Sequence, residues 1–236
     1  MRTDAEIKAL KIAKVKCNNS TLFFTRYFFK KRFNRKFVVS EHHEIICNAL
    51  DRVISGDLTR LIINIAPRYG KTELAVKNFI AHSLGINPKA RFIHLSYADD
   101  LALDNSEEIK DIVMSDEFRE LYNVKIKKDS KAKKKWYTNE GGGVYATSSG
   151  GQVTGFGAGK VEDEDDPIDF IKNSPFGGAI VIDDPIKPED ADSPIVRDRV
   201  NARFDSTIRN RVNSRKTPII IIIMQRLHED DICGHL

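Results

Sequence analysis

The chain has 236 residues, 41% of them hydrophobic, which is enough for one large α/β core or two small ones. Its 38 basic and 34 acidic residues leave a net charge of only +4, so overall charge does not by itself assign a polyanionic partner. Three scattered cysteines, Cys17, Cys47 and Cys233, argue against a zinc site or a disulfide framework and suit a reducing cytosol, and neither a membrane span nor a signal-peptide core is written in the sequence.

Residues 1–56 are predicted as a helical lead-in: "DAEIKALKIAKVK", "STLFFTRYFFKKRF" and "SEHHEIICNALDRVIS", with Ser20 and Ser40 as N-caps. This lead-in is expected to belong to the same domain as residues 57–236, where the texture changes to that of its α/β core. Short apolar strands, "LIINI", "RFIHLSYA", "AIVID" and "PIIIIIM", alternate with helical segments such as "TELAVKNFIAHSL" and "SPIVRDRVNARFDSTIRNRV". That alternation predicts an α/β fold with a mostly parallel central sheet flanked by helices on both faces. The stretch "NEGGGVYATSSGGQVTGFGAGK" reads as glycine-rich turns, and the acidic "VEDEDDPIDF" follows it.

The stretch Pro67, Arg68, Tyr69, Gly70, Lys71, Thr72 and Glu73 lies where an apolar strand gives way to a helix. Free backbone N–H groups and the helix dipole at such a point favour phosphate. In a phosphate-binding loop Lys71, expected at the loop surface, reaches the β- and γ-phosphates of ATP, and the Thr72 hydroxyl ligates Mg2+. The usual glycine at the loop's start is replaced by Ile65, and an arginine stands inside the loop. A second apolar strand ends in Asp183-Asp184-Pro185, carboxylates of the kind that hold Mg2+ and align water in such ATPases. Because strand side chains alternate faces, the two acids are given different roles: Asp183 in the magnesium shell, Asp184 polarising the attacking water. Gln225 stands at the tip of a third strand, where it would face the γ-phosphate and sense hydrolysis.

Taken together, "APRYGKTE", "HLSYADDLA", "GGQVTGFGAG", "IVIDDPIKPEDADS" and "MQRLHEDDICGHL" resemble, in order and rough spacing over residues 37–236, the ATPase domain of tailed-phage large terminases. The resemblance implies an ASCE-type P-loop NTPase that turns Mg-ATP hydrolysis into packaging of double-stranded DNA into procapsids. It also implies an arginine within a deviant phosphate loop, so Arg68 would contact the γ-phosphate in cis, and Gln225 with Arg226 would form the motif coupling hydrolysis to movement. Its expected partners are double-stranded DNA, the portal protein and the small terminase subunit. The setting would be the host cytoplasm, with ring assembly on the portal and a monomer in isolation. The nuclease domain that follows in full-length relatives is absent from these residues.

Several positions depart from the family. Phe156 stands where many relatives carry an arginine, leaving Lys160, Arg203 and Arg209 as candidates for a trans-acting cation. Asp184 is one methylene shorter than the usual glutamate. For DNA contact the candidates are the seven-lysine stretch from Lys125 to Trp136 and the basic-aromatic "FFTRYFFKKRFNRKF", the latter expected to bury its aromatics instead. The pair His42-His43 reads as structural or as lying near the adenine. Two other functions fit the same motifs: a superfamily-2-like helicase or other nucleic-acid-dependent ATPase, and a non-hydrolysing DNA- or portal-binding module.

Overall fold

The computed structural model describes residues 3–128, 132–153, 155–159, 176–213 and 219–236. Lys160, the acidic run at 161–170 and part of the lysine-rich stretch lie outside the described residues.

The lead-in forms three helices, α1 (Asp4–Asn18), α2 (Thr21–Phe33) and α3 (Glu41–Ile54). Each starts where a capping residue satisfies orphan N–H groups. Thr3 and Glu6 cap α1 reciprocally, and the Ser20 hydroxyl accepts from the Phe23 N–H at the head of α2. Helix α2 stops at Asn34, whose φ of 49° is left-handed, a conformation asparagine tolerates. Its aromatics do pack inward: Phe24 and Phe28 are buried and lie against Phe118 and Tyr122. Burial of such a side chain stabilises by about 1.5–3 kcal/mol, so the lead-in is part of the core.

Six strands make one sheet: β1 (Arg60–Asn64), β2 (Arg91–Ser96), β3 (Lys135–Tyr137), β4 (Gly143–Ser148), β5 (Ile180–Asp183) and β6 (Ile220–Met224). Their spatial order is β1-β6-β5-β2-β4-β3, all parallel except β3, which pairs antiparallel at the edge. Strand β6 therefore lies between β1 and the acidic β5. Alternate residues of each strand feed two apolar layers: Phe92, Val181, Ile221 and Ile223 in one, Ile93, Ile180, Ile182 and Ile222 in the other. The first layer is covered by the lead-in, by α4 (Phe79–Ile86), α5 (Asp99–Met114) and α6 (Asp116–Tyr122). The second is covered by the segment following α7 (Pro194–Arg203) and by the short α8 (Ile232–His235).

Two sequence expectations are corrected here. The stretch read as glycine-rich turns contains β4, and the lysine-rich stretch ends in β3. A Cβ at Gly143 would stand 2.2 Å from the Trp136 carbonyl oxygen, so this glycine marks the close approach of two strands instead of a turn.

Candidate active site

The site lies where β1, β5 and β6 end. Beyond β1 the chain loops through Pro67, Arg68 and Tyr69, all exposed, and enters a helix whose first turns, Glu73–Asn78, are π-wound before α4 continues them. Arg68 has φ 69° and Gly70 φ 77°. For arginine that left-handed conformation costs on the order of 1 kcal/mol, so the turn is held by its surroundings. His43 supplies part of that hold. Its Nδ1 accepts from the Ser40 N–H at 3.0 Å, which leaves Nε2 protonated to meet the Tyr69 backbone. Burial and the neighbouring His42 push its pKa down, keeping the ring neutral in that tautomer. His43 is therefore structural, one of the two roles allowed by the sequence, and a Cβ at Gly70 would come within 3.3 Å of its Nε2.

Consecutive loop residues meet consecutive acids. The Lys71 ammonium lies 2.6 Å from Asp184 Oδ1, and the Thr72 hydroxyl donates to Asp183 Oδ2 at 2.7 Å. Strand alternation predicts opposite faces for the two acids, yet both reach the loop. The reason is that β5 ends at Asp183, and Asp184 turns back with φ 44°, its N–H bonded to the Ile223 carbonyl and its carbonyl to the Tyr97 N–H. Lys71 is only 5% exposed, which corrects its expected place at the loop surface. A cation so buried requires a carboxylate beside it, and Asp184 provides one.

Asp183 is 2% exposed and its Oδ1 has no hydrogen-bond partner. Burial pushes its pKa up to about 6, with the Thr72 hydroxyl pulling the other way and Asp184 adding to the rise. An acid held this way favours a cation at the open oxygen. The Thr72 hydroxyl and Asp183 form a hard-oxygen pair that fits Mg2+, which keeps most of its coordination for water and phosphate. No cluster of three or more His, Cys, Asp or Glu that would suit an all-protein metal cage occurs among the described residues.

At the tip of β6 the Gln225 N–H points to Asp184 Oδ1 at 3.4 Å. The next residue, Arg226, turns away: its Nε donates to Asp231 Oδ2 at 3.0 Å, and its Nη2 donates to both the His228 and Glu229 carbonyls. Glu73 also turns from the loop. It pairs with Arg32 of α2 at 2.8 Å and accepts from Asn78, while Arg32 reaches Glu108 of α5 and Glu108 reaches Lys77. Sequence reading missed this network, because nothing local ties Arg32 to an acid 41 positions away. Of the trans-acting candidates, Arg203 bonds the Gly151 carbonyl and Arg209 pairs with Asp205, both within the same chain.

Among solved structures, the fold is similar to the crystal structure of the HK97 bacteriophage large terminase. The match covers 89% of this chain and 39% of that one, at 12% sequence identity and a TM-score of 0.50. This chain thus spans well under half the length of that terminase, and at such identity the likeness concerns the fold. No protein-family model and no curated protein matches the sequence. No helix among the described residues is long and apolar enough to cross a membrane.

Proposed function

We propose that this chain is the ATPase motor domain of a viral large terminase, coupling Mg-ATP hydrolysis to translocation of double-stranded DNA into procapsids. The observation that carries the reading is the double pairing of Lys71 with Asp184 and Thr72 with Asp183, with the Gln225 N–H directed at the same Asp184 oxygen. The terminase-like fold supports the choice of motor, and the lone metal-ready oxygen of Asp183 supports the choice of Mg-ATP.

The chemistry follows from which contacts a nucleotide displaces. Triphosphate oxygens at the loop compete with Asp184 for the Lys71 ammonium, and the exposed Arg68 guanidinium is placed to add a second cation. Once Lys71 turns to phosphate, Asp184 loses its counter-ion and becomes a carboxylate able to take a proton from water. Mg2+, when bound, neutralises charge on the β- and γ-phosphates, with Thr72 and the open Asp183 oxygen as its protein ligands. Gln225 stands between this acid and the rest of β6, where a change at the γ-phosphate passes to the 226–231 loop. The motor would work in the host cytoplasm as a ring on the portal, with the small terminase subunit and DNA as further partners. A basic residue from a neighbouring subunit would complete each site, so the dilute chain alone would be a slow, monomeric ATPase.

The test is phosphate release from Mg-ATP by wild type and Lys71→Ala, with and without duplex DNA, over a protein concentration series. Slow turnover that rises faster than protein concentration and vanishes in the variant is expected. Unchanged turnover in a folded Lys71→Ala protein would sink the assignment, and duplex unwinding would favour a helicase.

A further inference from the structure

Residues 1–36 hold eleven lysines and arginines against two acids, a net +9; as the whole chain is +4, the other 200 residues carry a net −5. The balanced total therefore conceals a strongly basic lead-in on an acidic core. On α1, Lys8, Lys11 and Lys14 are exposed and, at 100° per residue, fall within about 120° of the helix circumference. On α2, Arg26 and Lys30 lie one turn apart, with Lys31 beside them, and all three are exposed. None of these six has a carboxylate partner among the described residues.

The other basic candidate differs. In the lysine-rich stretch Lys133 pairs with Glu107 at 2.5 Å, and Lys127 and Lys135 lie over the Tyr137 ring at 5.8 and 5.5 Å. Three of that stretch's charges are therefore committed within the fold. Of the six lead-in charges only Lys31 has such a contact, over the Tyr27 ring at 5.9 Å, and cations without carboxylate partners on two packed helices raise each other's energy until a polyanion neutralises them.

We propose that the exposed basic faces of α1 and α2 bind the phosphate backbone of double-stranded DNA, without reading its sequence. The inference rests on the motor reading for its choice of DNA over another polyanion. The structure itself favours duplex over single strand: an unpaired strand needs free aromatic faces on which bases stack. Here Phe24 and Phe28 are buried, Phe23 lies beneath Lys16, Tyr27 beneath Lys31, and Phe33 beneath Arg32 and Arg35. The half-exposed Ile7, Ile12 and Val15 between the α1 lysines make an acidic-rimmed protein groove the competing occupant.

Binding of the purified chain to a short mixed-sequence duplex, followed by fluorescence anisotropy across a salt series, tests this. Each phosphate neutralised contributes about 0.9 to the negative slope of log affinity against log salt. The triple variants Lys8→Gln/Lys11→Gln/Lys14→Gln and Arg26→Gln/Lys30→Gln/Lys31→Gln should each flatten the slope by about two to three units and weaken low-salt binding more than tenfold. A matching Lys127→Gln/Lys133→Gln/Lys135→Gln variant should change the slope by less than one unit. Circular dichroism checks that the helices persist, which exposed lysine-to-glutamine changes permit. Unchanged slopes in both lead-in variants overturn the proposal, as does equal affinity for single strands. Equal binding of polyglutamate reassigns the face to an acidic protein. ATP turnover in the same preparations keeps the two readings apart: turnover without duplex binding removes only this inference, and duplex binding without turnover removes only the ATPase.

Discussion

Asp183 and Asp231 are the same residue type, each 2% exposed, one ending β5 and the other in the loop after the neighbouring β6. Asp231 accepts from Arg226 and from the backbone N–H groups of Leu227 and His228 in its own loop, and caps α8 by accepting from the Cys233 and Gly234 N–H groups. Burial works to raise its pKa, but those donors outweigh burial and hold the carboxyl below the usual aspartate range. Asp183 accepts one bond, from Thr72, keeps an oxygen with no partner, and is pushed up to about 6. A buried acid with its acceptors filled by its own loop and the helix it caps is architecture. On the proposed reading, one left with an open acceptor beside the 67–72 loop takes a cation that arrives later.

The contrast breaks most sharply at Lys71. Lys71→Ala should lower ATP turnover by about a thousandfold or more while near-ultraviolet circular dichroism stays native, because the cation acts on phosphate and its removal leaves Asp184 with access to water. Asp184→Asn should cut turnover by about a hundredfold to a thousandfold yet leave Mg-ATP binding nearly intact, as judged by fluorescent-nucleotide titration. Lost nucleotide binding in that variant would move Asp184 into the metal shell. Asp231→Ala should act on the fold instead: five donors lose their acceptor, for about 3 kcal/mol of stability and a melting point lower by about 6–12 °C. An unshifted transition would mean that the loop does not depend on this acid.

Proton competition gives the smallest effect and the finest distinction. Mg2+ needs the ionised carboxylate, so the magnesium concentration for half-maximal turnover should rise as pH falls through about 6, by up to tenfold per unit. Without metal the sign reverses for the fold: a raised pKa means ionisation of Asp183 costs stability as pH rises through that value. Asp231, with its depressed pKa, stabilises the fold at neutral pH, and that contribution is lost only below the ordinary aspartate range. A magnesium requirement that is flat with pH would remove Asp183 from the metal shell.

The four apolar strands, the cap at Ser20 and the loop were legible because each depends on neighbours in sequence: a run of isoleucines, a hydroxyl before a helix, Gly-Lys-Thr after a strand. β3 and β4 were not, since Gly143 serves a close approach that only pairing reveals, and the lysines before Trp136 mask a short edge strand. The acids at 183 and 184 were legible as a pair. Their common reach to the loop was not, because it depends on one left-handed residue, Asp184, where strand periodicity stops. His43 and Arg32 lay beyond local reading altogether, their partners being far along the chain.

Arg32 stands next to Lys31 of the basic face and ends on Glu73, the residue after Thr72. That joins the helix carrying the basic face to the helix that follows the 67–72 loop. Any free energy by which a polyanion on α2 alters nucleotide affinity must return, at equal size, as an effect of nucleotide on polyanion affinity. The two factors come from separate titrations, duplex against nucleotide-saturated protein and nucleotide against duplex-saturated protein. If Arg32 links the two proposed equilibria, Arg32→Gln should bring both factors toward unity together.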